Sequence, residues 1–198
     1  VATSKGPVSA GNIILATNGY TPADFRWHQR RVFPLPSYII STEPLPADLI
    51  AHVAPGRRMM VETRARHSYF RISPDGTRIL FGGRASMREI GPEPAARRLR
   101  ATMLEIWPEL GDARIAHSWS GNTGFTFSGM PNIGESDGLF HAMGYSGSGT
   151  VMAPYLGTKV GLRAAGAQGG DTAYGDTGLR ASWLHPFPKP HFLKAADL

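Results

Sequence analysis

The chain has 198 residues, of which 41% are hydrophobic and 18% are charged, a balance typical of an ordered globular protein. Its 24 glycines and 16 prolines predict many turns. The formal net charge of +6 leaves nucleic-acid binding open on charge alone. However, the arginines are scattered and no aromatic-basic RNA motif accompanies them, so we expect no nucleic-acid partner.

Cysteine is absent, which excludes disulfides, zinc–thiolate sites and a cysteine nucleophile. This is compatible with a reducing compartment, and we expect a cytoplasmic protein. No long apolar run and no leader of charged then apolar residues occurs, so neither a membrane span nor a signal peptide is predicted. The seven histidines show no metal-ligand spacing and the acidic residues form no pairs. We therefore expect no metal, and we expect demanding chemistry to come from a bound cofactor.

The first predicted element is the apolar run at residues 12–17, which is typical of a strand buried on both faces. Such a strand needs neighbours on both sides, and the ten residues before it supply few, so we expect the chain to be part of a larger domain. A second extended run follows at residues 31–41, where Pro34 and Pro36 exclude a helix.

A β-hairpin is predicted next, because the turn Ser73-Pro-Asp-Gly76 joins apolar runs at residues 68–72 and 78–81. Another short strand is expected at residues 59–63. Helical spacing of apolar residues predicts an amphipathic helix over about residues 93–107. A strand at 113–119 should then lead into an open loop marked by Gly121, Gly124 and Gly129.

The C-terminal third is predicted to contain a strand at residues 139–143 and a helix at 151–165, with Pro154 in the first turn of that helix. The tail after Gly169 is expected to be irregular and docked by its aromatic residues.

Between this strand and this helix lies the glycine-rich segment Gly144-Tyr-Ser-Gly147-Ser-Gly149. A strand followed by a glycine turn and the start of a helix can admit a flat or phosphorylated ligand. Glycine allows the backbone to approach the ligand closely, and the start of the helix offers unpaired N–H groups. The spacing excludes the dinucleotide fingerprint, the phosphate loop and the esterase elbow. A plain structural turn remains the alternative.

Tyr69 and Arg71 alternate along the predicted hairpin, so their side chains should share one face. A phenol beside a guanidinium suits a substrate carboxylate. The alternative is an exposed pair on an edge strand.

Several segments carry a resemblance to a known family when they are taken together and in order. They are Ile-Ile-Leu-Ala-Thr-Asn-Gly-Tyr at 13–20, Tyr-Phe-Arg-Ile-Ser-Pro-Asp-Gly at 69–76 leading into Leu-Phe-Gly-Gly-Arg at 80–84, Trp-Ser-Gly-Asn-Thr-Gly at 119–124, Pro-Asn-Ile-Gly at 131–134 and the glycine-rich segment. The chain resembles the C-terminal half of the flavin-dependent amine and amino-acid oxidases, such as D-amino-acid oxidase, glycine oxidase and sarcosine oxidase. The likeness is greatest to oxidoreductases of the γ-glutamylputrescine oxidase type.

The resemblance implies an α+β fold. Residues 31–120 would form a substrate domain with an antiparallel or mixed sheet, and residues 1–30 and 121–198 would form the C-terminal part of a Rossmann-like FAD-binding domain. The implied cofactor contacts are Thr17, Asn18, Gly19, Gly144, Tyr145, Gly147, Ser148, Gly149 and Thr150. Backbone N–H groups at 147–150 would face the flavin C2 oxygen and stabilise negative charge there. Tyr69 and Arg71 would line the substrate side, with Trp119 as a weaker candidate.

The implied reaction is hydride transfer from the carbon that bears the amine of a small amine or amino acid to FAD, followed by hydrolysis of the imine. The family's N-terminal Gly-x-Gly-x-x-Gly segment is missing from these 198 residues, so we expect the chain alone neither to bind FAD tightly nor to turn over. No cysteine is present to carry a covalent flavin. A non-catalytic module of the same fold that binds a nucleotide or a partner remains the alternative.

Overall fold

The computed structural model describes residues 1–175, 178–182 and 193. The chain divides into two units, one comprising Val1–Leu35 and Thr123–Phe192 and the other comprising Pro36–Asn122 and Leu193–Leu198. The strands are β1 (Ala2–Thr3), β2 (Gly6–Pro7), β3 (Ile13–Leu15), β4 (Phe33–Thr42), β5 (Met60–Val61), β6 (Tyr69–Ile72), β7 (Ile79–Gly83), β8 (Ile115–Phe125), β9 (Asn132–Ser136) and β10 (Leu139–Met143). The α-helices are α1 (Arg26–Gln29), α2 (Ala47–Val53), α3 (Pro92–Ile106) and α4 (Gly149–Ala164).

The first unit is built on a three-stranded sheet in the order β3-β10-β9. Strand β10 runs parallel to β3 and antiparallel to β9. Helix α4 follows β10 and covers the sheet through one apolar cluster. The buried members of this cluster are Ile133, Ala142, Tyr145, Leu156 and Val160. Strand β10 agrees with the predicted bounds, and burial of its last three residues explains why a continuous apolar run was needed there.

Strand β3 differs from its prediction. Within the described residues it pairs with β10 alone, so it is an edge strand of this sheet rather than one with neighbours on both sides. Leu15 is buried, whereas Ile14 is 43% exposed. Burial on both faces is therefore not reached within the described residues, where only one edge of the run has a partner, and the second neighbour that the sequence analysis expected from a larger domain stays a prediction.

The second unit contains a five-stranded sheet in the order β5-β6-β7-β4-β8. The predicted hairpin is confirmed as β6 and β7, which pair antiparallel with Ile72 opposite Ile79. Its turn closes with a hydrogen bond of 2.9 Å from the Gly76 N–H to the Ser73 carbonyl. Gly76 has a φ of 79°, a conformation that glycine adopts without steric cost.

The predicted amphipathic helix is confirmed as α3. Its buried residues Ala95, Leu99 and Met103 pack in the same cluster as Ile40 and Phe81 of the sheet. Helix α3 thus covers one face of the second unit's sheet. The mixture of helices with antiparallel and mixed sheets confirms the predicted α+β class.

Two further expectations are corrected. The loop predicted from Gly121 and Gly124 is strand, because β8 continues to Phe125. Helix α4 begins at Gly149, so Pro154 is inside the helix beyond its first turn. Most of the predicted aromatic tail lies outside the described residues. Among the helices of the described segments, none is long and apolar enough to cross a membrane.

Candidate functional site

The glycine-rich segment forms a tight turn between β10 and α4. Gly144, Ser146 and Gly147 have φ values of 77°, 50° and 101°, all in the left-handed region that favours glycine. A Cβ atom on Gly144 would overlap the side chain of Thr126. At this position glycine is therefore required by both conformation and space.

Three backbone N–H groups of this turn, those of Gly147, Gly149 and Thr150, donate to no acceptor in the part of the chain that the structure describes. Two of them belong to the first turn of α4, where no intrahelical acceptor exists. The space beside Gly147 is open, since nothing lies within 4 Å of a Cβ atom placed there. The turn therefore presents unpaired donors at the positive end of a helix dipole.

Asn18 holds the turn from the end of β3. Its side-chain Oδ1 accepts a 2.9 Å hydrogen bond from the Gly144 N–H, and Asn18 itself has a φ of 47°. A second hydrogen bond of 2.9 Å runs from the Ser146 N–H to the carbonyl of Gly124. The Asn18 carboxamide occupies the place where a side chain on Gly124 would stand. Glycine at 124 is thus explained by close packing inside a strand.

The remaining predicted cofactor residues lie around this turn in different environments. Tyr145 is buried in the cluster beneath α4, its hydroxyl donates to the Ala142 carbonyl over 3.1 Å, and burial raises the pKa of its phenol. Ser148 is exposed, and its carbonyl accepts from the Met152 N–H. Gly19 is buried, while Thr17 shares a 2.8 Å hydroxyl contact with Thr21. The structure therefore places the Tyr145 ring inside the fold and the backbone donors outside.

A pair of buried histidines, which the sequence did not single out, lies in the same unit. The ring nitrogens His28 Nε2 and His141 Nδ1 are 3.3 Å apart, and His141 Nε2 is 2.9 Å from Asn132 Oδ1. Because Oδ1 only accepts, His141 carries its proton on Nε2 and accepts from His28 at Nδ1. Protonation of His141 would set two N–H donors against each other. Burial, and then His28, lower the pKa of His141 to about 4.

The second unit brings together Tyr69, Arg71 and Trp119, the predicted substrate residues. All three line one cavity of about 370 Å³. Tyr69 lies opposite Gly82 and Arg71 opposite Leu80 in the β6–β7 register, which places both side chains on the sheet face away from the α3 cluster. The other walls are mostly apolar and include Ile39, Met59, Val61 and Leu80.

Two residues fix the Tyr69 side chain and were not identified from the sequence. Its ring lies over Gly82, where any Cβ atom would overlap it, and its hydroxyl is hydrogen-bonded to Ser37 Oγ on β4. The Gly82-Gly83 pair is the available sequence signal, because glycine inside a strand marks a close approach. Ser37 carried no signal.

No group of three or more histidine, cysteine, aspartate or glutamate side chains within the described ranges is arranged to hold a metal ion. The donors around Gly147 instead suit an electron-rich carbonyl oxygen. This is the chemistry of the flavin C2 oxygen, so the residues present fit the cofactor that the resemblance implies.

Comparison with known proteins identifies the family. The family model described as FAD dependent oxidoreductase matches residues 1–161. The chain is 33% identical over 158 residues to a probable oxidoreductase, OrdL, of Rhizobium meliloti, which covers 79% of this chain and 36% of that protein. It is 30% identical over 162 residues to gamma-glutamylputrescine oxidoreductase of Escherichia coli, covering 81% of this chain and 38% of that protein. The chain thus spans little more than a third of the length of these curated relatives.

Solved structures share the fold. Glycine oxidase from Geobacillus kaustophilus aligns with a TM-score of 0.67 at 19% identity, over 92% of this chain and 48% of that one. L-proline dehydrogenase from P. horikoshii aligns with a TM-score of 0.62 at 21% identity, over 100% of this chain and 50% of that one. The predicted resemblance is confirmed, and FAD is the cofactor of the matched family. The chain belongs to the FAD-dependent oxidoreductases.

Proposed function

We propose that the protein containing this chain oxidises a C–N bond of a small amine or amino acid, giving an imine that hydrolyses. The observation that carries the proposal is the set of N–H groups at Gly147, Gly149 and Thr150 that have no acceptor among the described residues, in a chain of this family. FAD, when bound, supplies the acceptor for the hydride and electron pair leaving the substrate carbon. In this proposal the first unit holds the flavin ring and the second binds the substrate.

The glycine-rich turn would act through its backbone. N–H groups fixed at a helix start are aimed before the reaction, so they stabilise developing negative charge on a carbonyl oxygen without reorganising. The Asn18 and Gly124 hydrogen bonds keep the turn in this conformation. The rigid turn is what distinguishes this arrangement from an ordinary helix start.

Tyr69 and Arg71 would bind and orient the substrate. The exposed Arg71 guanidinium can pair with a carboxylate on a mostly apolar wall, and such charge-assisted bonds are stronger than neutral ones. Tyr69, held by Ser37, would fix the direction of approach. No acid–base pair is required of the chain, because the reacting amine need only be neutral.

We also infer that residues 1–198 do not turn over alone. The chain contains no Gly-x-Gly-x-x-Gly segment, which is the element that places a pyrophosphate at a helix N-terminus. We therefore expect that part of the FAD site to come from sequence outside these residues.

The test uses the intact protein that contains this chain. It should be purified yellow, and amines should bleach the flavin absorbance under anaerobic conditions. Arg71→Ala should raise KM about tenfold or more for a carboxylated amine and much less for an uncharged one. The matched control is Arg114→Ala, at an exposed arginine of the same unit that does not line the cavity. It should leave the KM for both classes of amine unchanged.

Two results would reject the proposal. A protein that takes up no FAD would exclude the flavin chemistry, and FAD uptake without reduction by any amine would favour the non-catalytic binding module. Equal effects of Arg71→Ala on both classes of amine would remove Arg71 from substrate binding.

A further inference from the structure

The cavity that contains Tyr69 and Arg71 combines a single charged group with an apolar wall. Apart from these two residues and Gly82, the described residues that line it are all apolar: Ile39, Met59, Met60, Val61, Phe70, Leu80 and Trp119. Within this described lining, Arg71 alone carries a formal charge. The wall therefore offers one cation and no carboxylate to a ligand.

Strand pairing explains why apolar side chains border Arg71. Val61 lies opposite Tyr69 in the β5–β6 register, and Leu80 lies opposite Arg71 in the β6–β7 register. Residues opposite each other on neighbouring strands have their side chains on the same face of the sheet. One face of three adjacent strands thus presents the guanidinium between aliphatic groups.

Three of the apolar residues are far more exposed than is usual for their type. Met59 is 82% exposed, Val61 is 68% exposed and Trp119 is 43% exposed. Large apolar side chains that gather around one cavity, rather than lying singly on a surface, indicate a place where a ligand or partner binds. The volume of about 370 Å³ is within the range of small-molecule sites, whose walls are mostly apolar with a few polar groups. A small ligand is therefore the occupant that fits this cavity.

The charges indicate which groups that ligand carries. The Arg71 side chain forms no ion pair and no hydrogen bond with any other described residue, so its guanidinium can accept a carboxylate without giving up another partner. A second positive charge on the ligand would lose water against the apolar wall and find no counter-ion there. The ligand should therefore have a carboxylate at one end and an uncharged, apolar group at the other.

We propose that the substrate is a carboxylated amine with an apolar substituent and no further charged group. Met59, Val61 and Trp119 would contact the substituent and determine specificity, while Arg71 holds the carboxylate. Amines with a second cationic group, such as diamines, would be poor substrates. This inference rests on the proposed amine oxidation, because it names the substrate class of the same site.

The test measures binding rather than turnover, so it does not depend on the reaction. Isothermal titration calorimetry on the intact protein, at constant ionic strength, compares propionate with hexanoate, neither of which has an amine to be oxidised. Hexanoate has three more methylene groups, and each one that is fully buried strengthens binding up to about fourfold. We expect hexanoate to bind at least about tenfold more tightly than propionate.

A pair of ligands with the same shape tests the rejection of a second charge. The probes are 5,5-dimethylhexanoate and 4-(trimethylammonio)butanoate, which differ in having a carbon or a positively charged nitrogen at the branch point. We expect the uncharged ligand to bind at least about tenfold more tightly.

Variants locate the contact. Val61→Glu places a carboxylate on the exposed wall and should shift the affinity ratio of this ligand pair about tenfold towards the cationic ligand. The matched control is Ala101→Glu, which adds the same charge at an exposed position of α3 outside the cavity and should shift the ratio by less than about twofold. Met59→Glu, at the more exposed residue of the same wall, replaces Val61→Glu if that variant has a lowered Tm.

Equal affinities for propionate and hexanoate would overturn the proposal. So would a wild-type protein that binds the cationic ligand as tightly as the uncharged one, because the aromatic rings would then be recognising a cation. Equal shifts of the ratio in Val61→Glu and Ala101→Glu would show that the apolar wall does not contact the ligand.

Failure of the amine oxidation gives a different result. Binding that strengthens with chain length, in a protein whose flavin no amine reduces, would reject the oxidation and leave the ligand class standing. Flavin reduction by amines, together with binding that is independent of chain length, would reject the ligand class alone.

Discussion

Acidification from pH 7 to pH 5 is expected to weaken the first unit through the His28–His141 pair. In the folded chain His141 donates from Nε2 to Asn132 and accepts at Nδ1 from His28. Adding a proton at Nδ1 destroys that acceptor and places a charge on a residue that is 2% exposed. Folding therefore favours the neutral form.

The size of the effect follows from linkage. Burial, together with His28, lowers the pKa of His141 from 6.5 to about 4, so between these values the unfolded chain binds the proton and the folded chain does not. The contribution to stability is complete above pH 6.5, decreases as the pH falls through that value, and stops decreasing below about 4. Between pH 7 and pH 5 the loss is about 2 kcal/mol.

His28 also lowers the stability of the folded chain when the pH falls. Its pKa is also lowered, first by burial and then by Arg31, with Asp137 opposing them. A proton on either ring disfavours a proton on the other, so the pair titrates as one unit.

Amide hydrogen exchange in the intact protein measures the pH-dependent stability of the segment around the histidine pair. The opening free energy of a peptide covering β10, corrected for the intrinsic exchange rate at each pH, should fall by about 2 kcal/mol from pH 7 to pH 5. His141→Gln should flatten that dependence, although it lowers stability at pH 7. His117→Gln, at an exposed histidine, is the matched control and should leave the wild-type slope unchanged. If wild type and His141→Gln show parallel slopes, the pair does not control the pH response.

Two further predictions concern the turn and the substrate cavity. Gly82→Ala should displace the Tyr69 ring, because the new Cβ atom overlaps it, and should raise KM for a carboxylated amine about tenfold. Gly157→Ala is the control, because Gly157 lies on the exposed side of α4 and a Cβ atom placed there has nothing within 4 Å. An equal rise of KM in the two variants would contradict the proposed role of the Tyr69 ring. Asn18→Ala should destabilise the protein by about 2–4 kcal/mol, since it leaves the Gly144 N–H without its acceptor and places alanine at a φ of 47°. Asn18→Asp keeps an acceptor and should cost less than about 1 kcal/mol in thermal unfolding; equal losses would show that the Oδ1 contact does not stabilise the turn.

Secondary-structure elements that depend on residues close together in the sequence were predictable. The β6–β7 hairpin depends on the Ser73–Gly76 turn, where proline and glycine fit the required angles. Helix α3 depends on the spacing of Leu99 and Met103, and both are buried as the periodicity requires.

Features that depend on contacts between residues far apart in the sequence were not predictable. Gly124 was interpreted as a loop residue, yet it belongs to β8, and glycine is needed there because the Asn18 carboxamide occupies the space beside it. Likewise, β3 was expected to be buried on both faces, but a run of apolar residues does not reveal how many strands will pair with it. The cavity of Tyr69 was predictable in part. Alternation along β6 places Tyr69 and Arg71 on the same face, whereas Ser37, which binds the Tyr69 hydroxyl, comes from a strand far away in the sequence.

Asn18 shows how the two kinds of information combine. The resemblance implies that Asn18 contacts the cofactor, whereas the structure shows its Oδ1 bound to the Gly144 N–H. A carboxamide has an acceptor oxygen and a donor nitrogen, and the Asn18 Nδ2 has no hydrogen-bond partner within the described part of the chain. The oxygen can therefore hold the turn while the nitrogen stays available to a ligand. The two roles are compatible, and a side chain with only one of these groups would satisfy one role at the expense of the other.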